Sequence, residues 1–471
     1  MSTNEKRDDT GGYKGKSLAI LSGKDIAVGD TISVKTIDQN QVAGILMPRY
    51  ESADEDHIVI KLKSGYNIGI ETTNIQSIIK ITPCPNQTIP DTKSEFPQYS
   101  KDDTAVRGFD NLPNIALIST GGTIASKIDY RTGGVHSVLS ASDLYASIPE
   151  LRRYASVDPE VILNEYSENL NPEHWTLIAN KVAEKIKSGI YRGIIVSHGT
   201  DTMHYTASAL SFALQNPPVP VVLVGAQRSS DRPSSDAALN LIGATVFCIK
   251  TSYSGVFLAM HAGPSDDVIA CHVGTRVRKN HTSRRDAFES IDIGPIALVK
   301  GDIVEMQVQQ QPQLKLRQRN DTIIDFLVKS SFDRRVALIK FHPGFDPRLI
   351  ADVAMRLDYK ALILEGTGLG HISKECIPEI RKMIDSGIMV FMTSQCIWGR
   401  TRMTVYDTGR DLLKIGVIPL SDMLSETALV KAMWVIANSK EREYSRQIMQ
   451  HSIANEISSV IPFTGKGIHR E

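Results

Sequence analysis

The feature that most constrains the fold of this chain is a repeated unit. A short apolar run ends in a loop rich in Gly, Ser, Thr or Asp, and a stretch with helical spacing follows. Runs at 114–119, 193–196, 219–224 and 255–260 read as strands covered on both faces. Between the first two, residues 171–189 read as a helix. Asn171 stands at the N-cap and Pro172 at the first helical position. Trp175, Ile178, Ala179, Val182 and Ile186 recur at helical spacing, and Gly189 can stop the helix. Another helix runs through Ala207 and Leu210, and a third begins near Pro233. Strand–loop–helix units in series predict an α/β fold, a doubly wound parallel sheet. Such sheets bind ligands outside the carboxyl ends of their strands, where strand order reverses. That directs attention to the loops at 119–126, 197–203 and 225–232.

The pattern repeats on a smaller scale after residues 307–321, a Gln-rich segment read as a surface connection. Runs at 336–340, 361–364 and 389–392 predict a second, smaller α/β domain. A last helix spans about 426–439, with Leu429, Ala432, Met433 and Ile436 on one face. Ahead of all this the period is two. Ile32 and Val34, Ile58, Ile60 and Leu62, then Ile68 and Ile70 alternate with other residues between turn signals. Several short strands without a helix predict a small all-β, SH3-like barrel. Residues 1 to about 22 look frayed. The 471 residues thus divide into a barrel at 1–82, a Pro/Ser/Thr-rich linker at 83–110, a larger α/β domain at 111–320 and a smaller one at 321–471.

Charge narrows the partners. Lys and Arg number 53, as do Asp and Glu, so the formal net charge is zero. A broad, basic nucleic-acid-binding surface is not the default for such a chain. Five scattered cysteines, with no CxxC or Cys/His ligand spacing, argue against a disulfide framework or a structural zinc site. They point to a reducing, cytoplasmic setting. The polar N-terminus lacks the apolar core of a signal peptide, and no apolar run approaches the roughly 18 residues of a membrane span.

Three segments can carry chemistry. In the first, 119–125 (STGGTIA), paired glycines turn the chain tightly at a strand end. The turn suits a cradled phosphate, or it presents the Thr123 hydroxyl as a nucleophile. Neither a GxGxxG nor a GxxxxGKS pattern is present. In the second, 198–203 (HGTDTM), Asp201 can cap the next helix, orient a hydroxyl or accept a hydrogen bond from a substrate ammonium. The third, 276–285 (RVRKNHTSRR), is basic and free of acids. It suits a solvated face, a nucleic-acid patch, or a single lysine drawn to the Thr/Asp cluster. His198, His204, His272 and His281 have no ligand or triad spacing and read as structural or exposed. Residues 366–371 (GTGLGH) read as a tight turn rather than a phosphate loop.

Together, TGGTIAS at 120–126 and SHGTDTM at 197–203 resemble the two signature segments of the bacterial-type L-asparaginase/glutaminase family. The resemblance extends from about Asn111 to the C-terminus and implies a two-domain amidohydrolase that works as an oligomer without a metal. It implies Thr123 as nucleophile, Thr200 and Asp201 as its second catalytic pair, and Lys279, in a K-x-x-T context with Thr282, as their partner. It implies a mobile loop at 127–137 carrying Tyr130, and substrate contacts at Gly122, Ser167, Glu168 and Gly199. Free asparaginases of this family commonly have Gln where this chain has Glu168.

The barrel, the linker, the loop KIDYRTGGV and the segment RKNHTSRRDAFES resemble a narrower group, the D subunits of archaeal glutamyl-tRNA(Gln) amidotransferases. That resemblance implies hydrolysis of glutamine or asparagine to supply ammonia, with no cofactor in this chain. A partner, the E subunit of the amidotransferase, would hold Glu-tRNA(Gln), use ATP with Mg and consume the ammonia. The assembly would be a heterotetramer built on a dimer of this chain, with no membrane involved. A free asparaginase with an accessory barrel, and a non-catalytic scaffold, are the alternatives.

Overall fold

The computed structural model describes residues 12–47, 49, 54–61, 67–81, 112–122, 124, 126–128, 135–137, 148–229, 235–311, 313–319, 325–350 and 357–460. The linker at 83–110 lies outside them. The chain forms two compact units. One gathers residues 1–112, 126–138 and 228–235, and the other gathers 113–125, 139–227 and 236–471.

In the first unit, Thr31–Thr36, Gln41–Leu46, His57–Lys61, Asn67–Glu71 and Ile75–Lys80 form a five-stranded antiparallel sheet. The last strand pairs with the first, so the meander curls back on itself. Alternation places Ile32, Val34, Ile58, Ile60, Ile70 and Ile78 inside. Residues 1–11 of the segment read as frayed lie outside the described residues, and the rest departs from that reading, because Gly15–Ser22 is a helix. At eight residues, with no side-chain cap, it is too short to leave a legible period or to stand alone. Contact with the barrel core through Leu18 and Leu21 holds it. Tyr13 also enters this core. Its hydroxyl donates to Met47 O at 2.7 Å and accepts from Val59 N at 3.1 Å. A short hairpin, Ser126–Ile128 with Val135–Ser137, also belongs to this unit.

The second unit is built on a mixed sheet. From one edge its order is Ser156–Glu165, Asn114–Gly121, Gly193–Ser197, Pro220–Val224 and Tyr253–His261, all parallel. Ile269–Val273, Ala297–Lys300 and Ile303–Met306 then continue it antiparallel. Odd and even residues of the central strands face different cores. Ile115, Leu117 and Ile195 pack with the Ala237–Lys250 helix. Ala116, Ile118, Ile194 and Val196 pack with the Pro172–Lys187 and Met203–Ala213 helices. Both faces are therefore covered, as the continuous apolar runs required. The Pro172–Lys187 helix begins as its sequence dictates. Asn171 Oδ1 accepts from His174 N at 3.1 Å, and Asn171 N donates to His174 Nδ1 at 3.2 Å.

A four-stranded parallel sheet, Val336–Lys340, Ala361–Gly366, Met389–Ser394 and Ile418–Pro419, forms the smaller layer. Ile377–Asp385 and Asp407–Ile415 cover one face, and Ser425–Asn438 the other. Ser425–Asn438 is not the last helix, since Arg442–Gln450 follows. Its buried side is not the expected stripe: Ala428, Lys431, Ala432, Trp434 and Val435 are buried, whereas Leu429, Met433 and Ile436 are half-buried. The reason is the Met203–Ala213 helix, whose Ala209 and Phe212 share its core. Residues 366–371 form a tight turn, with Thr367 bridged to His371. The segment at 307–321, read as a surface connection, is tied in more closely. Gln311 is buried on Gly294 N and Pro295 O, and Arg317–Gln318 pairs with Tyr253 and Ser254.

Candidate active site

The parallel strands run in the sequential order 2-1-3-4-5 from the Ser156–Glu165 edge. Strand order therefore reverses between Asn114–Gly121 and Gly193–Ser197, the point at which a doubly wound sheet has its binding crevice. Both signature segments leave at this point.

The two loops touch backbone to backbone. Gly121 and Gly122 have φ of +104° and +82°. A Cβ on Gly122 would lie 2.3 Å from Gly199 N, and one on Gly199 would lie 2.8 Å from Ser167 Cβ. Glycine at both places is thus a condition for the loops to meet. Thr120 Oγ1 donates to Ser197 O at 3.0 Å, and His198 N donates to Val224 O at 2.9 Å. Beneath the second loop runs a buried chain of hydrogen bonds. Trp175 Nε1 donates to Thr206 Oγ1 at 3.2 Å, and Thr206 Oγ1 donates to His198 Nε2 at 2.8 Å. His198 Nδ1 in turn donates to Gly199 O at 2.7 Å. Burial pushes the His198 pKa down to about 4, so a neutral ring with its proton on Nδ1 satisfies both contacts.

Lys279 reaches this loop from the Val277–Lys279 strand. Its Nζ donates to Thr200 Oγ1 at 2.8 Å and to Asp201 Oδ1 at 2.7 Å. The lysine side chain is 8% exposed and that of Asp201 67%. Asp201 is not the cap of the next helix. Thr202 holds that position, and its hydroxyl donates to Ser167 O at 2.6 Å. Ser167 is buried against Gly199, whereas Glu168 is exposed. The structure therefore brings together Gly122, Ser167, Gly199, Thr200, Asp201 and Lys279. Thr123 and Tyr130 lie outside the described residues.

The basic run divides residue by residue. Arg276 is fully buried on Asp422, Asn455 and Ser458, and Arg278 Nε donates to Glu426 Oε1 at 2.7 Å. Arg284 pairs with Asp286, and Arg285 with Asp266. His204 and His272 are buried, and burial holds each pKa down at about 4. His281 is exposed, with Nδ1 accepting from Ser283 N and Arg284 N. Sequence reasoning missed Asp422 and Glu426 as partners of the arginines beside Lys279. It also missed Thr206 and Trp175 as supports of His198. No local motif marks these pairs; the arginine partners lie 146 and 148 residues away, and Thr206 meets His198 only because the Met203–Ala213 helix folds back over the loop.

Fold and crevice define the class, a two-domain asparaginase-type α/β protein. Residues 114–312 match the family "Asparaginase, N-terminal" and residues 335–449 the "Glutaminase/Asparaginase C-terminal domain". The thermostable L-asparaginase from Thermococcus kodakarensis has a similar structure, with TM-score 0.65 and 34% identity, covering 74% of this chain and 100% of that one. L-asparaginase I from Vibrio cholerae aligns with TM-score 0.63 and 26% identity, over 74% of this chain and 99% of its own. Residues 26–81 match the "GatD N-terminal domain". The glutamyl-tRNA(Gln) amidotransferase D subunit of Pyrococcus furiosus is 43% identical over 447 residues, 94% of this chain and 97% of that relative. The D subunit of the same name from Thermofilum pendens is 41% identical over 452 residues, 95% and 96% of the two chains. The chain belongs to the family of glutamyl-tRNA(Gln) amidotransferase D subunits.

Proposed function

We propose that this chain is the glutamine or asparagine amidohydrolase component of a tRNA-dependent amidotransferase. The observation that carries the reading is Lys279 Nζ, set on both Thr200 Oγ1 and Asp201 Oδ1 at the switch point of the sheet. In this reading Thr123 Oγ attacks the side-chain carboxamide carbon, and Tyr130 accepts its proton. Backbone N–H groups around the glycine turns stabilise the oxyanion. The C–N bond breaks, ammonia leaves with a proton, and an acyl-threonine remains. Water then attacks the ester carbon, and its proton passes by way of Thr200 to Thr123 Oγ as the acyl C–O bond breaks, which frees the acid and restores the Thr123 hydroxyl. The Lys279 ammonium stabilises negative charge building on Thr200 Oγ1, and Asp201 holds the ammonium in place. Ser167, Glu168, Gly122 and Gly199 frame the substrate.

The released ammonia serves to convert Glu-tRNA(Gln) to Gln-tRNA(Gln). A partner, the E subunit of the amidotransferase, binds the tRNA and activates the glutamate with ATP and Mg. Residues 1–110 hold 13 Lys/Arg and 16 Asp/Glu, so the barrel at 1–82 and linker at 83–110 are slightly acidic. That favours a protein-docking role for the barrel over RNA binding. The α/β parts at 111–320 and 321–471 carry the hydrolysis, and a dimer of this chain forms the centre of a cytoplasmic heterotetramer. Among the described residues no helix is long and apolar enough to cross a membrane.

The test is ammonia release and tRNA amidation by the assembled complex. Thr123→Ala and Lys279→Ala each abolish glutamine-dependent amidation, while ammonium salts still support it. Continued use of glutamine by either variant would refute the assignment. High, partner-independent asparagine turnover would favour a free asparaginase instead.

A further inference from the structure

The Val277–Lys279 strand pairs antiparallel with Phe288–Ser290 in its own domain, and its arginine side chains are held from the small domain. Side chains alternate along the Val277–Lys279 strand, so Arg276 and Arg278 share a side that Lys279 does not. Arg276 Nη1 donates to Asp422 O at 3.0 Å, its Nη2 to Asp422 Oδ2 at 3.1 Å and Ser458 Oγ at 2.7 Å, and its Nε to Asn455 O at 2.7 Å. Just before it, Thr275 Oγ1 donates to Ala454 O and Thr275 O accepts from Thr427 Oγ1. Two residues on, Arg278 Nε donates to Glu426 Oε1 at 2.7 Å. Glu426 stands in the first turn of the Ser425–Asn438 helix, where the helix dipole favours a carboxylate. Only 12% of the Glu426 side chain and 32% of the Arg278 side chain are exposed. Past Lys279 the chain loses this support, since residues 280–284 are all exposed.

Lysine is a point charge on a flexible four-carbon stem, so where its Nζ sits depends on where its backbone is held. Here that backbone lies in a two-stranded ladder with Phe288–Ser290, and the ladder is tied to a helix of the other domain by a partly buried, charge-assisted pair at the neighbouring residue. We infer that Arg278 and Glu426 are positioning residues for amide hydrolysis: their ion pair lets the small domain set Lys279 against Thr200 and Asp201. The inference rests on the amidohydrolase reading above. It makes the Ser425–Asn438 helix a lever. A displacement of the small domain at that helix reaches the Thr200 hydroxyl through Glu426, Arg278 and one peptide unit.

The test uses the full chain and steady-state ammonia release from glutamine and from asparagine. Arg278→Met and Glu426→Gln lower kcat by about ten- to a hundredfold, the range expected when a catalytic group is misplaced by about an ångström. KM stays within about twofold, because no substrate contact is removed. The exchange Arg278→Glu with Glu426→Arg recovers most of kcat. Glu426→Asp keeps the charge on a shorter arm, gives an intermediate kcat, and reads out the pair even where Arg278→Met does not fold. A merely structural pair would lower thermal stability and leave kcat per folded molecule unchanged, and that result overturns the inference. So does a kcat loss that the exchanged pair fails to recover. A wild-type chain that releases no ammonia from either amide overturns the amidohydrolase reading and this inference with it. An active wild type with unaffected variants overturns this inference alone.

Discussion

The closest approach in the crevice gives the sharpest prediction, Gly122→Ala. A Cβ there would lie 2.3 Å from Gly199 N and 2.4 Å from Gly199 Cα, whereas ordinary contact begins at 3.4 Å. Both obstacles are backbone atoms, so no side chain can swing aside, and the two loops must part by about 1 Å. The φ of +82° adds about 1–2 kcal/mol for a residue with a Cβ. With about 1–3 kcal/mol for the overlap, the expected loss of stability is about 2–5 kcal/mol. Gly189→Ala, at the end of the Pro172–Lys187 helix, is the control. Its φ is +72°, and nothing lies within 4 Å of where the new Cβ would stand. It should cost about 1–2 kcal/mol and leave activity alone. An ångström between loops that must act together should lower kcat about a hundredfold in Gly122→Ala. Urea unfolding and ammonia release, measured on both variants, separate the two contributions. Wild-type kcat in Gly122→Ala, or a stability loss no greater than that of Gly189→Ala, would refute the claim that this contact sets the crevice.

Thr206→Val strands Trp175 Nε1 and His198 Nε2 in the core and should cost about 2–4 kcal/mol in urea unfolding, while Thr206→Ser restores most of it. Acid should destabilise the fold in a defined window. Burial holds His198, His204 and His272 at about 4, below the ordinary 6.5. Between those values the unfolded chain binds protons that the native chain does not. Stability is therefore fully present above 6.5 and falls as pH drops toward 4, by about 3 kcal/mol per histidine at the low end. A urea midpoint that stays flat from about pH 7 to 4.5, or that His272→Gln leaves equally steep, would contradict this. Lys431 Nζ and Glu456 Oε1 form a fully buried pair at 2.5 Å. Lys431→Met should cost about 3–5 kcal/mol because it leaves a buried carboxylate without its cation, and adding Glu456→Gln should recover part of the loss in thermal unfolding.

The sequence by itself determined the layers and the place of the crevice. Apolar runs such as NIALIS and GIIVS can be stable only when covered on both faces, which requires helices on both sides of the sheet. Their parallel direction sends every following loop to one edge. Glycines at 121, 122 and 199 are local signals as well, since backbone can meet backbone only where no Cβ intervenes. The barrel was equally legible, because a half-buried strand shows its period over five residues. The Gly15–Ser22 helix was not, because eight residues make barely two turns and its stability comes from the barrel it docks on.

Tertiary structure alone decided the rest. RVRKNHTSRR reads as one basic patch, yet packing sends its charges to separate ends. Arg276 goes to a buried Asp422, Arg278 to Glu426 and Lys279 to Thr200 and Asp201. The partners lie 146, 148, 79 and 78 residues away from these side chains. An ionic group takes whichever partner the fold presents at hydrogen-bond distance, and no period in the sequence records that distance. Which of the clustered cations serves the crevice, and which ones tie it to the small domain, follows only from how the chain closes in space.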